Sequence, residues 1–315
     1  MPQASPLAFD RRAIPPQARE SRWLAADGWP IRRIDWAGGG KGSILFLPGR
    51  GDFYEKYLET LDHWHALGWH VTASDWRGQA GSGRLGADAV TGHIDDFSTW
   101  CEDLALLWKR WRAETPGPHV LAGHSMGGHL VLRAVAEGLV DPAGLILCAP
   151  MLGFTASLLP PAMMHLAART MKALGDPRRP AWKWSEAPGQ VPAARAHLLT
   201  HDEERYADEL WWREHRPELV MGPGSWGWVE RAYASMRLLA DPALLARVTC
   251  PVVIVATDND KLVGYGAIDR AAQALSDVRL INYGKAAHHE VLREADPVRD
   301  RALAEIDTLL ARISG

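Results

Sequence analysis

Three short strings in this chain carry residue types that work together in nucleophilic catalysis: Gly123-His124-Ser125-Met126-Gly127-Gly128, Asp258-Asn259-Asp260 and His288-His289. The first follows an apolar run, His119-Val120-Leu121-Ala122, and opens a helix-like stretch over residues 130–135. A serine at a strand-to-helix turn, with glycine two residues before and two after, is the nucleophile-elbow pattern. The glycines have a physical reason. The serine takes a strained backbone conformation that projects its hydroxyl clear of the turn, and flanking side chains would strike the strand and the helix. The amide of Met126 then points to where negative charge develops on an attacked carbonyl oxygen. A Gly-rich turn with an idle serine is the competing account, and it leaves the downstream residues without a purpose.

A serine nucleophile needs a base, and the base needs an orienting carboxylate. The apolar run 252–257 feeds Asp258-Asn259-Asp260-Lys261-Leu262-Val263, and the run 278–283 feeds Gly284-Lys285-Ala286-Ala287-His288-His289-Glu290. The order Ser, Asp, His suits this architecture, and both candidate loops fall just past a strand end. The residues alone do not choose between Asp258 and Asp260, or between His288 and His289. The spare Asp is expected to form the turn and the spare His to be a packed neighbour.

Alternating strands and helices must hold these loops together. A hairpin is expected across Asp27-Gly28, then strands at 43–47, 70–75 and 144–149 and helices at 54–67 and 96–114, the second with an apolar stripe through Phe97, Trp100, Leu104, Leu107, Trp108 and Trp111. The rhythm resumes with a strand at 251–257, a helix at 265–275, a strand at 278–283 and a helix at 297–313. This predicts an α/β fold, a mostly parallel central sheet with helices on both faces. Residues 1–20 read as an irregular N-terminal arm, and 21–150 with 242–315 as the core. Residues 151–241, rich in Pro, Trp, Met and Arg, read as a helical cap inserted over the sheet's carboxyl edge, where ligands bind in open α/β sheets.

The 315 residues are 47% hydrophobic and 23% charged, with a net charge of -3, which gives no electrostatic reason to expect a nucleic-acid partner. The start carries no apolar core of about 7–15 residues, so no signal peptide is expected. No stretch approaches the about 18 apolar residues of a membrane span. Three cysteines, Cys101, Cys148 and Cys250, lie in apolar segments without metal-ligand spacing, so reduced cysteines in a cytoplasmic protein, with no metal and no cofactor, are expected.

The elbow, together with Pro48-Gly49-Arg50-Gly51-Asp52-Phe53-Tyr54-Glu55-Lys56-Tyr57, Asp75-Trp76-Arg77-Gly78-Gln79 and His289-Glu290-Val291-Leu292, resembles the serine α/β-hydrolases of the monoacylglycerol lipase and bacterial lysophospholipase group. Leu199-Thr200-His201-Asp202, Arg205-Tyr206 and Gly222-Pro223-Gly224-Ser225-Trp226-Gly227-Trp228 resemble the lysophospholipase branch. The resemblance implies an α/β-hydrolase fold and selects Asp260, two positions before Leu262-Val263, as the acid and His289, before Glu290, as the base of Ser125. It implies an oxyanion hole from the amides of Met126 and Arg50, although many relatives carry His-Gly where this chain has Pro48-Gly49-Arg50. It also implies hydrolysis of a lipid or small-molecule acyl ester, most of all a lysophospholipid or monoacylglycerol. A carboxylesterase, thioesterase or peptidase with the same triad, and a non-catalytic binding protein of the same fold, are the alternatives.

Asp75 and Arg77 are expected to hold their loop by an ion pair or backbone bonds. His63, His65 and His70 read as solvated or packing histidines, and His124 is expected to point away from the pocket. Met163, Met164, Met171, Trp182, Trp184, Trp211 and Trp212 read as cap core or as an acyl-chain surface, and the resemblance implies that Trp226 and Trp228 bind substrate. A transient contact of the cap with a membrane surface would make the protein peripheral. Arg178-Arg179 reads as a solvated loop.

Overall fold

The computed structural model describes residues 9–155, 160–183 and 193–315. Strands β1 (Ala18–Leu24) and β2 (Pro30–Trp36) form the hairpin that Asp27-Gly28 turns, Gly28 sitting at φ +82°. Then follow β3 (Ser43–Leu47), α1 (Leu58–Ala66) behind one turn of 3-10 helix, β4 (His70–Ser74), α2 (Phe97–Glu114), β5 (His119–His124), α3 (Met126–Ala136) and β6 (Gly144–Cys148). Among the described residues, four longer helices lie between β6 and β7: α4 (Pro161–Ala173), α5 (Ala193–Leu199), α6 (Glu203–His215) and α7 (Trp226–Leu239). The short α8 (Pro242–Leu245) leads into β7 (Val252–Ala256), α9 (Tyr265–Ala274), β8 (Val278–Asn282) and α10 (Asp296–Ser314).

The eight strands make one sheet in the order β1-β2-β4-β3-β5-β6-β7-β8. From β4 to β8 every pairing is parallel, and β2 is antiparallel to both β1 and β4. β3, β5, β6 and β7 are short apolar runs buried on both faces, as parallel strands covered by helices should be. Alternate residues of one strand enter different cores: Leu45 and Leu47 pack with the α2 stripe and α3, whereas Ile44 and Phe46 pack with Trp64 of α1 and Leu303 of α10. Asp96 caps α2 by accepting the Ser98 amide proton. Where residues 1–20 are expected to be irregular, β1 already begins at Ala18, and residues before it are tied down by Arg11 and Arg12 on Asp208 of α6, at 2.5 and 2.6 Å.

The segment between β6 and β7 is bound to the sheet side at several points. α4 lies along α7, and Gly222, Pro223 and Ser225 exchange backbone bonds with Val90 and Gly92 of the loop after β4. Arg205 of α6 pairs with Glu59 of α1 at 2.9 Å and Asp296 of α10 at 2.6 Å. No helix among the described residues is long and apolar enough to cross a membrane.

Because the strands from β4 to β8 run in parallel, the turns after β3, β5, β7 and β8 all emerge on one edge. Two glycines let the first two of these meet. A Cβ on Gly127 would stand 2.3 Å from the Leu47 carbonyl oxygen and 2.4 Å from that of Pro48. One on Gly123 would stand 2.6 Å from the Gly127 backbone. Gly127→Ala is therefore expected to push α3 off the β3 turn and destabilise the protein by about 1–3 kcal/mol or more, the scale of overpacking a tight interior. Urea unfolding of the variant against the parent measures it.

Candidate active site

Ser125 stands between β5 and α3 at φ +53° and ψ -116°, a conformation costing a non-glycine residue about 1–3 kcal/mol. Its backbone is held there from both sides. The Ser125 amide donates to the Cys148 carbonyl at 2.9 Å, and its own carbonyl accepts from Met151 and His129, both at 3.0 Å. The hydroxyl is thereby presented to the cavity, and Met126, next in sequence, heads α3.

His289 Nε2 lies 2.9 Å from Ser125 Oγ, and its Nδ1 lies 2.6 Å from Asp260 Oδ2. The other Asp260 oxygen accepts the amides of Leu262 at 2.7 Å and Val263 at 3.0 Å, which fixes the carboxylate toward the ring. Burial works against the Asp260 charge, but the His289 ring and those amides hold its carboxyl below the ordinary range. Burial likewise works against an imidazolium at His289. The attraction and hydrogen bond of Asp260 win, helped by Glu290 and Asp52, and push its pKa above the ordinary value. A hydroxyl bonded to an imidazole bonded to a carboxylate can give up its proton as it attacks an electrophilic carbon.

The alternatives left open by the residues separate in space. Asp258 is at the exposed edge, where its carboxylate accepts from the Asn282 side-chain amide at 3.0 Å. His288 stacks on His201 at 3.8 Å, and its backbone amide donates to Glu294. His124 differs from expectation. The Tyr57 hydroxyl at 2.8 Å and Asp52 at 3.2 Å draw its Nδ1 toward the β3 turn, so its ring packs 4.8 Å from that of His289 and borders the cavity.

Beneath His289 lies a buried charge cluster. Lys56 Nζ reaches Asp52 at 2.9 Å, Glu209 at 2.9 Å and Glu290 at 2.5 Å, and Arg293 pairs with both Glu209, at 3.1 Å, and Glu290. Asp52 also accepts the Gly49 amide at 3.2 Å and the Tyr57 hydroxyl at 2.7 Å. Burial disfavours the Asp52 and Glu209 charges, yet Lys56 together with His124 at the first, and with Arg293, Arg195 and Arg213 at the second, outweighs it. Asp52 is held well below the usual range and Glu209 at about 2. Asp52, Lys56 and Glu290 stand in the strings quoted for the resemblance, but nothing in their spacing announces that they meet.

The hydroxyl opens on a cavity of about 510 Å³. Gly49, Arg50 and His289 line it near the serine, with Met164, Trp182, Met221, Trp226 and Trp228 on its walls. A Cβ on Gly49 would touch the Ser125 Cβ at 3.0 Å, so the β3 turn can pass this close only as glycine. The Arg50 guanidinium lies 5.1 Å from the Trp182 ring and 5.0 Å from that of Trp228, and donates to the Gly222 carbonyl at 2.7 Å. Trp211 and Trp212 are elsewhere, packed edge-on against each other on α6, and Trp184 lies outside the described residues. Asp75 and Arg77 do not pair with each other: Asp75 holds Arg32 at 2.9 Å, and Arg77 holds Asp103 at 2.7 Å. His63 bonds Asp307 and His65 the Ala37 carbonyl, and no group that could hold a metal ion occurs among the described residues.

A mostly parallel eight-stranded sheet that carries a serine at the turn after its fifth strand, with Asp and His loops on the same edge, is the α/β-hydrolase fold. The chain belongs to the family described as serine aminopeptidase, S33, whose model matches residues 38–296. It is 28% identical to lysophospholipase L2 of Escherichia coli, over 92% of this chain and 86% of that protein. To a monoacylglycerol lipase of Mycolicibacterium smegmatis it is 26% identical, over 81% and 84%. Its structure is similar to that of a soluble variant of monoglyceride lipase from Saccharomyces cerevisiae, with a TM-score of 0.76 at 17% identity and 99% of each chain covered.

Removing one partner of a buried ion pair typically costs about 3–5 kcal/mol, and Lys56→Met is expected to lose that much in urea unfolding at pH 7. The acid response carries a sign. The folded Glu209 carboxyl is held at about 2, below its ordinary 4.5. Its stabilisation is therefore complete above the ordinary value and drains away as pH falls toward the folded one. Stability measured across that window should fall in the parent and fall less in the variant, where Glu209 is no longer depressed as far.

Proposed function

We propose that this protein hydrolyses carboxylic esters of single-chain lipids, lysophospholipids or monoacylglycerols, through an acyl-enzyme on Ser125. The observation that carries the reading is the chain of hydrogen bonds from Ser125 through His289 to Asp260, opening on an apolar cavity. As Ser125 Oγ attacks the acyl carbon, its proton passes to His289 Nε2, and Asp260 keeps the imidazole oriented and balances its charge. The amides of Met126 and Arg50 serve as donors to the oxyanion. The alcohol leaves with the proton from His289, water enters, and the same base activates it to release the fatty acid. No metal or organic cofactor takes part.

Residues 151–241 act as the cap, and Trp226 and Trp228 contact the acyl chain. Met163, Leu166, Leu174 and Trp182 are large apolar side chains exposed on this segment, which suits transient contact with a lipid surface. The free cysteines suit a cytoplasmic protein working at the periphery of the membrane. An aminopeptidase needs a free acidic group for the substrate ammonium. The acidic residues among the described cavity lining, Asp52 and Glu290, are both engaged by Lys56, which favours the ester reading.

A fluorophosphonate probe should label the parent and not Ser125→Ala, whose ester turnover should fall by about four orders of magnitude or more. A hydrolysis profile over esters of rising acyl length should peak at long chains, and a peak at short chains would overturn the lipid assignment. Base catalysis needs neutral His289, so the rate is present above its raised pKa and lost as pH falls through it. The acid limb of kcat/KM should lie above the ordinary histidine value of 6.5. Asp260→Asn should move that limb to lower pH and reduce kcat by about ten-thousandfold; an unmoved limb would remove Asp260 from the mechanism.

A further inference from the structure

Beside the catalytic cavity lies a second one of about 830 Å³, within the about 300–1,000 Å³ of small-molecule sites. Phe154, Met164 and Tyr233 line both and form the wall between them. Its own lining is largely apolar, with Leu152, Leu166 and Met236, and three arginines come to it from three helices: Arg169 of α4, Arg237 of α7 and Arg270 of α9. No Asp or Glu is among the described lining residues. Glu230, which His165 of the lining reaches at 3.2 Å, is also held by Lys172 at 3.0 Å and by Arg231.

Several exposed arginines elsewhere on this protein grip carboxylates, among them Arg112 on Asp141, Arg178 on Asp176, Arg279 on Glu305 and Arg312 on Asp277. Among the described residues, Arg169, Arg237 and Arg270 have no such pair. Three guanidinium groups around one apolar hollow repel one another and concentrate positive potential there, in a chain whose net charge is -3. A small inorganic anion would leave the apolar walls unused, and an uncharged lipid would leave the arginines unused. An alkyl chain ending in an anion uses both.

We propose that this second cavity binds an anionic single-chain amphiphile, its chain against Leu152, Met164, Leu166 and Met236 and its carboxylate or phosphate held by Arg169, Arg237 and Arg270. The site stands on its own geometry. Its tie to turnover rests on the hydrolase reading, under which a fatty-acid anion is the product released on the other side of the Phe154–Tyr233 wall.

The test uses the full chain carrying Ser125→Ala, so that no ligand is consumed, and titrates dodecanoate, 1-dodecanoyl-glycerol 3-phosphate and uncharged 1-dodecanoylglycerol below their aggregation thresholds by calorimetry. An anionic ligand should bind at least tenfold tighter than the uncharged one, and adding R169Q, R237Q and R270Q together should abolish that preference. A carboxylate preference identifies the product, and a phosphate preference a lysophospholipid. Ala240→Trp, which fills the hollow without removing a charge, should weaken the anionic ligand by a similar factor. Circular dichroism checks that each variant is folded, and R237Q alone serves should the triple variant fail. Equal binding of charged and uncharged ligands, or a preference that survives the arginine changes, would overturn the proposal. Failure of the fluorophosphonate to label Ser125 would overturn the hydrolase reading instead and leave the binding result standing.

Discussion

The ammonium of Lys56 holds together three distant parts of the chain, with Arg293 bridging two of them. Its three carboxylate partners come from the turn after β3, from α6 and from the residue beside His289. Lys56 and Arg293 stand among three buried carboxylates, and Arg213 adds a third cation 3.7 Å from Glu209. A buried carboxylate without a partner would take up a proton or drag its loop toward water. Glu290 and Asp52 of this cluster also help raise the basicity of the His289 ring. The cluster that fixes the loops therefore also sets the electrostatic ground on which the imidazole works.

A second constraint acts on the backbone. Ser125 is held at positive φ by bonds to Cys148, Met151 and His129, and the strain is sustained because α3 and the β3 turn close on each other through Gly49, Gly123 and Gly127. The serine, the β3 turn and the start of α3 are thus one packed unit. The Asp and His loops reach it only because β7 and β8 continue the parallel sheet beside β6.

The sheet strands were legible because each is a short apolar run between turn formers, a pattern that burial on both faces demands. The elbow was legible because its glycines have a steric cause that sequence records. The choice of Asp260 over Asp258 was not open to the residues alone, since it depends on which carboxylate the amides of Leu262 and Val263 capture. His124 was misplaced for a similar reason: its direction is set by Tyr57 and Asp52, more than sixty residues earlier. The helices between β6 and β7 carry weak periodicity because their buried faces are partly ionic, Glu209 and Arg205 among them. The convergence of Arg169, Arg237 and Arg270 has no local signature at all, each being an ordinary exposed residue on its own helix.

The substitution of Pro48-Gly49-Arg50 for the His-Gly of many relatives acquires a physical sense from the side chain of Arg50. Its guanidinium lies against the Trp182 and Trp228 rings and bonds to the Gly222 carbonyl, all three in the segment between β6 and β7. A cation near an indole face is worth about 0.5–2 kcal/mol, more where water is excluded, and the planar guanidinium suits this stacking as an ammonium would not. Its backbone meanwhile belongs to the turn whose glycine touches Ser125. The segment that carries Gly222 and Trp228 and the turn proposed to stabilise the oxyanion are therefore joined through one side chain.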